Sequence, residues 1–138
     1  MGRKWLVPIL IMVGVLVFSS HGLKGGPEVS VKDAVALMKG VPRPLVIDVR
    51  ERAEFDQGHL PGAMSVPFAE FKAQLESLKL PKIDPVILYS TDDARARDAT
   101  RILYDSGYQG ALTLIGGIDA WRAAGQAEHK AKPPASKP

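Results

Sequence analysis

Apolar residues in this chain fall into short β-branched runs separated by stretches in which they recur every three or four positions, and the two periods alternate from residue 30 to residue 125. Ser30-Val31-Lys32-Asp33 reads as a helix N-cap with an acid three residues on. Val31, Ala34, Val35 and Met38 then form the apolar stripe of a short helix that Gly40 closes. A proline-rich turn, Val41-Pro42-Arg43-Pro44, leads into residues 45–49, an apolar run of the kind buried on both faces of a parallel sheet. Gly58, Pro61 and Gly62 mark a loop, residues 63–66 a short strand, and residues 68–78 a helix with Phe71, Leu75 and Leu78 on one face. The next strand, residues 86–89, opens onto the polar loop Ser90-Thr91-Asp92-Asp93-Ala94. A helix is expected to begin near Arg95, carry Ile102, Leu103 and Tyr104, and end at Gly107. Residues 111–115 form the last strand, and Gly116-Gly117 turns into an amphipathic helix with Ile118 and Trp121. The alternation predicts an α/β fold: a single domain over residues 30–125, with a mainly parallel sheet flanked by helices and functional loops at the carboxyl ends of the strands.

The ends follow other rules. Gly2-Arg3-Lys4 precedes an apolar run over residues 5–18, and Ser19-Ser20-His21-Gly22 follow it. That run is shorter than the roughly 20 residues of a spanning helix and suits the core of an export signal. An uncleaved N-terminal anchor over residues 1–22 is the alternative, since Pro8 interrupts the run and Ser20-His21-Gly22 is an imperfect cleavage site. In either case the basic start places the domain outside the membrane, periplasmic or otherwise extracytoplasmic, with any membrane contact made through residues 5–18. Residues 23–29 read as a linker, and residues 126–138, mixing Lys, Pro, Ala and Ser without an apolar period, as a disordered basic tail.

The 138 residues, 46% hydrophobic and 24% charged, suffice for one small core once the ends are set aside. The net charge of +3 belongs to those ends, where Arg3, Lys4 and Lys24 outweigh Glu28, and Lys130, Lys132 and Lys137 outweigh Glu128. Basic and acidic residues are interleaved between them with no accompanying aromatic series, which argues against a nucleic-acid surface. The chain contains no cysteine, so disulfide, redox and thiolate-metal chemistry are all absent.

Three segments carry more than fold class. Val46-Ile47-Asp48-Val49-Arg50-Glu51-Arg52-Ala53-Glu54-Phe55-Asp56-Gln57-Gly58-His59-Leu60-Pro61-Gly62-Ala63 resembles the strand-and-loop signature of the rhodanese family, in which Asp-x-Arg is followed by Glu-Phe and Gly-His-x-Pro-Gly-Ala. Leu114-Ile115-Gly116-Gly117-Ile118-Asp119-Ala120-Trp121 resembles that family's closing Leu-x-Gly-Gly-x-x-x-Trp, and the unit over residues 86–104 falls where the family carries its active loop. The resemblance covers residues 28–125 and implies a thiosulfate sulfurtransferase-type domain. Its loop would begin with a cysteine that accepts a sulfane sulfur as a persulfide, its thiolate stabilised by backbone N–H groups and an arginine.

Against the family's Cys-x-x-Gly-x-Arg-Ser, this chain reads Ser90-Thr91-Asp92-Asp93-Ala94-Arg95-Ala96, and only Arg95 agrees. A hydroxyl at Ser90 carries no persulfide and is a poor nucleophile without an adjacent base. Asp93 stands where the family places a conformationally free glycine, and Asp92 and Asp93 put negative charge where an anionic donor would bind. Several coordinated changes point to divergence of the whole loop. The expectation is a rhodanese-like binding or regulatory module with no catalytic residue and no cofactor. It would recognise a protein or small ligand through Ser90, Thr91, Asp92, Asp93, Ala94 and Arg95. The alternative is an enzyme of the sulfurtransferase or hydrolase type that retains some activity and uses the Ser90 loop.

Asp48, Arg50 and His59 read as supporting residues: Asp48 as an acceptor of backbone donors, Arg50 paired with Glu54 or loop carbonyls, and His59 as a hydrogen-bonded brace of its turn. No metal site is expected, because His21 and His129 lie on the ends. Asp92, Asp93 and Asp98 suit a hard cation by type but read as a solvated acidic loop paired with Arg95 and Arg97. Tyr108 and Trp121 are expected in packing.

Overall fold

A computed structural model describes residues 27–80 and 85–131. The N-terminal signal or anchor segment at 1–22, most of the linker and residues 132–138 lie outside the described residues. In chain order the elements are β1 (Glu28–Val29), α1 (Val31–Met38), β2 (Leu45–Asp48), α2 (Arg52–Gln57) and β3 (Met64–Ser65). A 3-10 turn (Phe68–Glu70) leads into α3 (Phe71–Leu78), and β4 (Val86–Tyr89), α4 (Asp93–Asp105), β5 (Ala111–Leu114) and α5 (Gly117–Ala123) follow. All strand pairs are parallel, in the order β1-β5-β4-β2-β3. Among the described residues no helix is long and apolar enough to cross a membrane.

Side chains alternate across the sheet, and this alternation builds two cores. Val46, Ile87, Tyr89 and Leu114 pack with Ala34 of α1 and with Ile118 and Trp121 of α5. Ile47, Val86, Leu88 and Ala111 pack on the opposite face with Phe71 of α3 and with Ala96, Ala99 and Leu103 of α4. Because both faces of β2 and β4 are covered, their sequences read as unbroken apolar runs. A buried polar contact joins α4 to β5: the Thr100 and Thr113 hydroxyls lie 2.7 Å apart, and the Thr100 hydroxyl also donates to the Ala96 carbonyl at 2.9 Å. Trp121 and Tyr108 are buried, as expected of packing residues.

The structure departs from the expected boundaries in four places. Glu28 and Val29, assigned above to the linker, form an edge strand on β5, and the Glu28 carboxylate accepts from Arg97 Nε of α4 at 2.7 Å. Helix α2 was not expected at all; only Phe55 of its six residues is buried, so it has no apolar stripe to read. Its start is fixed instead by the Glu54 carboxylate, which accepts from the Glu51 N–H at 3.1 Å. Helix α4 begins at Asp93, two residues before Arg95, because the Asp92 side chain caps it by accepting from the Ala94 N–H at 2.9 Å.

The fourth departure is at the C-terminal end. Residues 126–131, expected to start a disordered tail, are tied to the domain. The Trp121 indole donates to the Ala127 carbonyl at 2.8 Å, and Arg122 pairs with Glu128 at 3.0 Å. His129 and His59 exchange two backbone hydrogen bonds of 2.8 Å, and the Ala131 N–H donates to the Asp56 carbonyl at 3.2 Å. The segment is thus laid against α2 and the loop that follows it.

Candidate functional site

The carboxyl ends of β2 and β4 carry the residues that the sequence singles out, and a buried charge network fixes both ends. Asp48 is fully buried and Arg50 is 3% exposed. The Arg50 guanidinium grips the Asp48 carboxylate with Nε at 3.1 Å from both oxygens and Nη2 at 2.7 Å from Oδ2. The Arg50 N–H also donates to Oδ1 at 2.9 Å, and Nη2 donates to the Gly58 carbonyl at 2.6 Å. Burial opposes the charge on Arg50, but hydrogen bonding to Asp48 and attraction by its carboxylate outweigh it, and the guanidinium is held above its ordinary pKa. Asp48 therefore receives a backbone donor and Arg50 a loop carbonyl, as expected. The expected Arg50–Glu54 pairing is replaced by Arg50–Asp48, because Glu54 is used at the start of α2.

Tyr89, the last residue of β4, completes this floor. Its ring is fully buried, with the Arg50 guanidinium carbon 5.8 Å from the ring centre, and its hydroxyl accepts from the Leu60 N–H at 3.0 Å. Burial, then the charge and hydrogen bonding of Asp48, push the phenol well above its ordinary pKa. The residues before Ser90 are thus clamped from β2 and from the loop that carries His59.

Ser90 follows directly and is 2% exposed. Its hydroxyl oxygen accepts from the Asp92 N–H at a long 3.4 Å, and its carbonyl accepts from the Ile118 N–H at 3.1 Å. Gly117 lies so close, in the left-handed conformation (φ +56), that a β-carbon there would land on the Ser90 carbonyl oxygen. The Gly116 N–H donates to Asp93 Oδ2 at 3.1 Å, so the Gly-Gly turn entering α5 holds the Ser90 loop at both ends. That role was not read from the sequence, although two glycines between a strand and a helix are the signal for such a close backbone approach.

The remaining loop residues separate by environment. Thr91, Asp92 and Ala94 are exposed, and Asp93 and Arg95 are half-buried. Asp93 has a helical, unstrained backbone, so the position that is glycine in the family's loop needs no special conformation here. Asp93 Oδ2 lies 3.9 Å from Arg97, whose closer partner is Glu28. Arg95, in the first turn of α4, makes no hydrogen bond or ion pair with the other described residues. His59 is not brought to Ser90 by any hydrogen bond. Its ring stacks on Phe55 with centroids 3.8 Å apart, and Nδ1 lies 2.9 Å from the Phe55 carbonyl, which only accepts and so fixes the proton on Nδ1. Asp98 is exposed, and no group of three or more metal-ligating side chains occurs among the described residues.

This arrangement of sheet, clamped loop and Gly-Gly turn matches a known family over most of the chain. The rhodanese-like domain profile covers residues 30–124. A sulfurtransferase of Allochromatium vinosum is 35% identical over 81 residues, which span 59% of this chain and 74% of that protein. The uncharacterised protein YqhL of Bacillus subtilis is 33% identical over 82 residues, 59% of this chain and 64% of that protein. Among solved structures, the Alr3790 protein from Anabaena superposes with a TM-score of 0.66 at 27% identity, covering 75% of this chain and 92% of that one. The chain belongs to the rhodanese-like domain family, and its relatives include sulfurtransferases.

Proposed function

We propose that this protein is an exported or membrane-anchored rhodanese-like module that recognises a protein or small ligand and does not transfer sulfur. One observation carries the reading: the loop position that would need a thiolate holds Ser90 in a chain without cysteine. The surroundings of Ser90 support it. Among the described residues the Ser90 hydroxyl is paired only with the Asp92 N–H, and no imidazole or carboxylate is hydrogen-bonded to it, so no base is in place to activate the alcohol for hydrolysis. Arg95, half-buried beside the loop and unpaired among the described residues, is the side chain best placed to meet a ligand. The basic start and short apolar run at residues 2–18 support export.

Thiosulfate:cyanide sulfurtransferase activity tests the reading. The unaltered protein is expected to give no turnover above the uncatalysed rate; turnover that saturates with thiosulfate would overturn it. N-terminal sequencing of the mature protein separates the two modes of export: a start near Leu23 means a cleaved signal, and an intact Met1 means an anchor.

A further inference from the structure

The amino end of α4 ought to be an anion-binding feature, because a strand-turn-helix unit aims backbone N–H groups and the positive end of the helix dipole at the turn. In this chain, side chains of the turn itself have taken that place. The Asp92 carboxylate accepts from the Ala94 N–H at 2.9 Å, and the Ser90 hydroxyl accepts from the Asp92 N–H at 3.4 Å. The Asp93 carboxylate reaches away from the helix to the Gly116 N–H at 3.1 Å, while its second oxygen, Oδ1, is buried with no hydrogen-bond partner among the described residues. The Ser90 carbonyl accepts from the Ile118 N–H at 3.1 Å, which fastens the turn to the start of α5 on that side.

The geometry points to a cradle closed from within: Asp92 and Asp93 act as built-in anions that occupy or oppose the donors at the start of α4, so the loop presents a fixed surface and excludes small anions. The inference rests on the proposed non-transferring role and deepens it, because it makes the loss of anion chemistry a property of the carboxylates as well as of the missing sulfur. Two physical terms act together. Ala94 N–H is already satisfied, and the uncompensated Asp93 oxygen repels negative charge. Arg97 offsets this only in part: its Nη2 lies 3.9 Å from Asp93 Oδ2, while its Nε is held closer, at 2.7 Å, by Glu28, and Arg95 pairs with neither carboxylate.

The test uses Ser90→Cys as a probe of the field in the turn. The pH dependence of the alkylation rate with iodoacetamide reads the acidity of the introduced thiol independently of its accessibility. The midpoint is expected at or above the ordinary value of about 8.5, and in Ser90→Cys/Asp92→Ala/Asp93→Gly it should fall by about one pH unit or more. A midpoint well below 8.5 in the single variant, or no fall in the triple variant, overturns the inference. If the triple variant does not fold, Ser90→Cys/Asp92→Asn/Asp93→Asn keeps the cap on the Ala94 N–H and removes both charges, and a smaller fall in the same direction is expected; no fall overturns the inference. Thiosulfate titration followed by amide NMR supplies an arm that needs no substitution: the unaltered protein should show no saturable shifts at residues 91–94, and saturable shifts there would contradict a closed cradle. Turnover by the unaltered protein would defeat the functional reading, whereas an acidic introduced thiol would defeat the closed cradle alone.

Discussion

The Asp93 carboxylate accepts a hydrogen bond from the Gly116 N–H at 3.1 Å, fastening the first turn of α4 to the turn that enters α5 across 23 residues of chain. The same turn contributes the Ile118 N–H to the Ser90 carbonyl and the close approach of Gly117. The Ser90 loop is therefore shaped as much by the Gly-Gly turn as by its own sequence.

Gly117→Ala should be severely destabilising. The added methyl would meet the Ser90 carbonyl oxygen, and a left-handed backbone disfavours alanine. A loss of about 2–4 kcal/mol in urea unfolding is expected, by the mechanism of strain at a special backbone position. A change within about 0.5 kcal/mol, the range of ordinary surface substitutions, would show that the turn is not closely packed on the loop.

Arg50→Ala should cost about 3–5 kcal/mol, because it leaves the Asp48 carboxylate buried without its cation and frees the Gly58 carbonyl. The double variant Asp48→Leu/Arg50→Met should recover a large part of that loss, since it removes both charges together. Equal losses in the single and double variants would mean that packing, not charge pairing, sets the effect.

Tyr89 gives the fold an alkaline limit. Its phenol is held above the ordinary value of about 10. Below that pH the phenol is neutral in both folded and unfolded chains, and its contribution is fully present. Above it the unfolded chain ionises while the folded chain keeps the proton, so stability falls as pH rises. Tyr89→Phe removes this dependence. The stability advantage of the unaltered protein over the variant should be constant to about pH 9 and then shrink by about 1.4 kcal/mol per pH unit above pH 10. A difference that stays constant through pH 11 would contradict the buried phenol.

Deleting residues 126–138 should lower stability by about 1–3 kcal/mol, through loss of the indole–carbonyl bond and the His59–His129 backbone pair. Glu128→Ala, which removes only a half-exposed ion pair with Arg122, should cost less than about 1 kcal/mol. Equal costs for the two would place the holding energy in the ion pair, contrary to this assignment.

The sheet was legible in the sequence because β2 and β4 are covered on both faces and leave unbroken apolar runs. Helix α2 was not, since six residues that bury Phe55 alone carry no period. Residues 126–131 were not legible either, because backbone hydrogen bonds and one indole donor hold them, and none of these leaves a hydrophobic pattern. At the site, the loop and its changed residues could be read directly, while the partners could not. Asp48 and Arg50 stand two apart at a strand end and share a side, which favours their pairing over the Glu54 that sequence spacing suggests. The capping role of Asp92 was hidden because residues 90–94 read as one polar loop with the helix starting near Arg95, whereas an aspartate ahead of a polar helix is itself a start signal.

The central claim is that no atom of this protein accepts a sulfane sulfur. Intact-mass spectrometry of the unaltered protein after incubation with excess thiosulfate tests it most directly. The mass is expected to be unchanged; a species heavier by one sulfur atom and returned to the original mass by cyanide would contradict the claim.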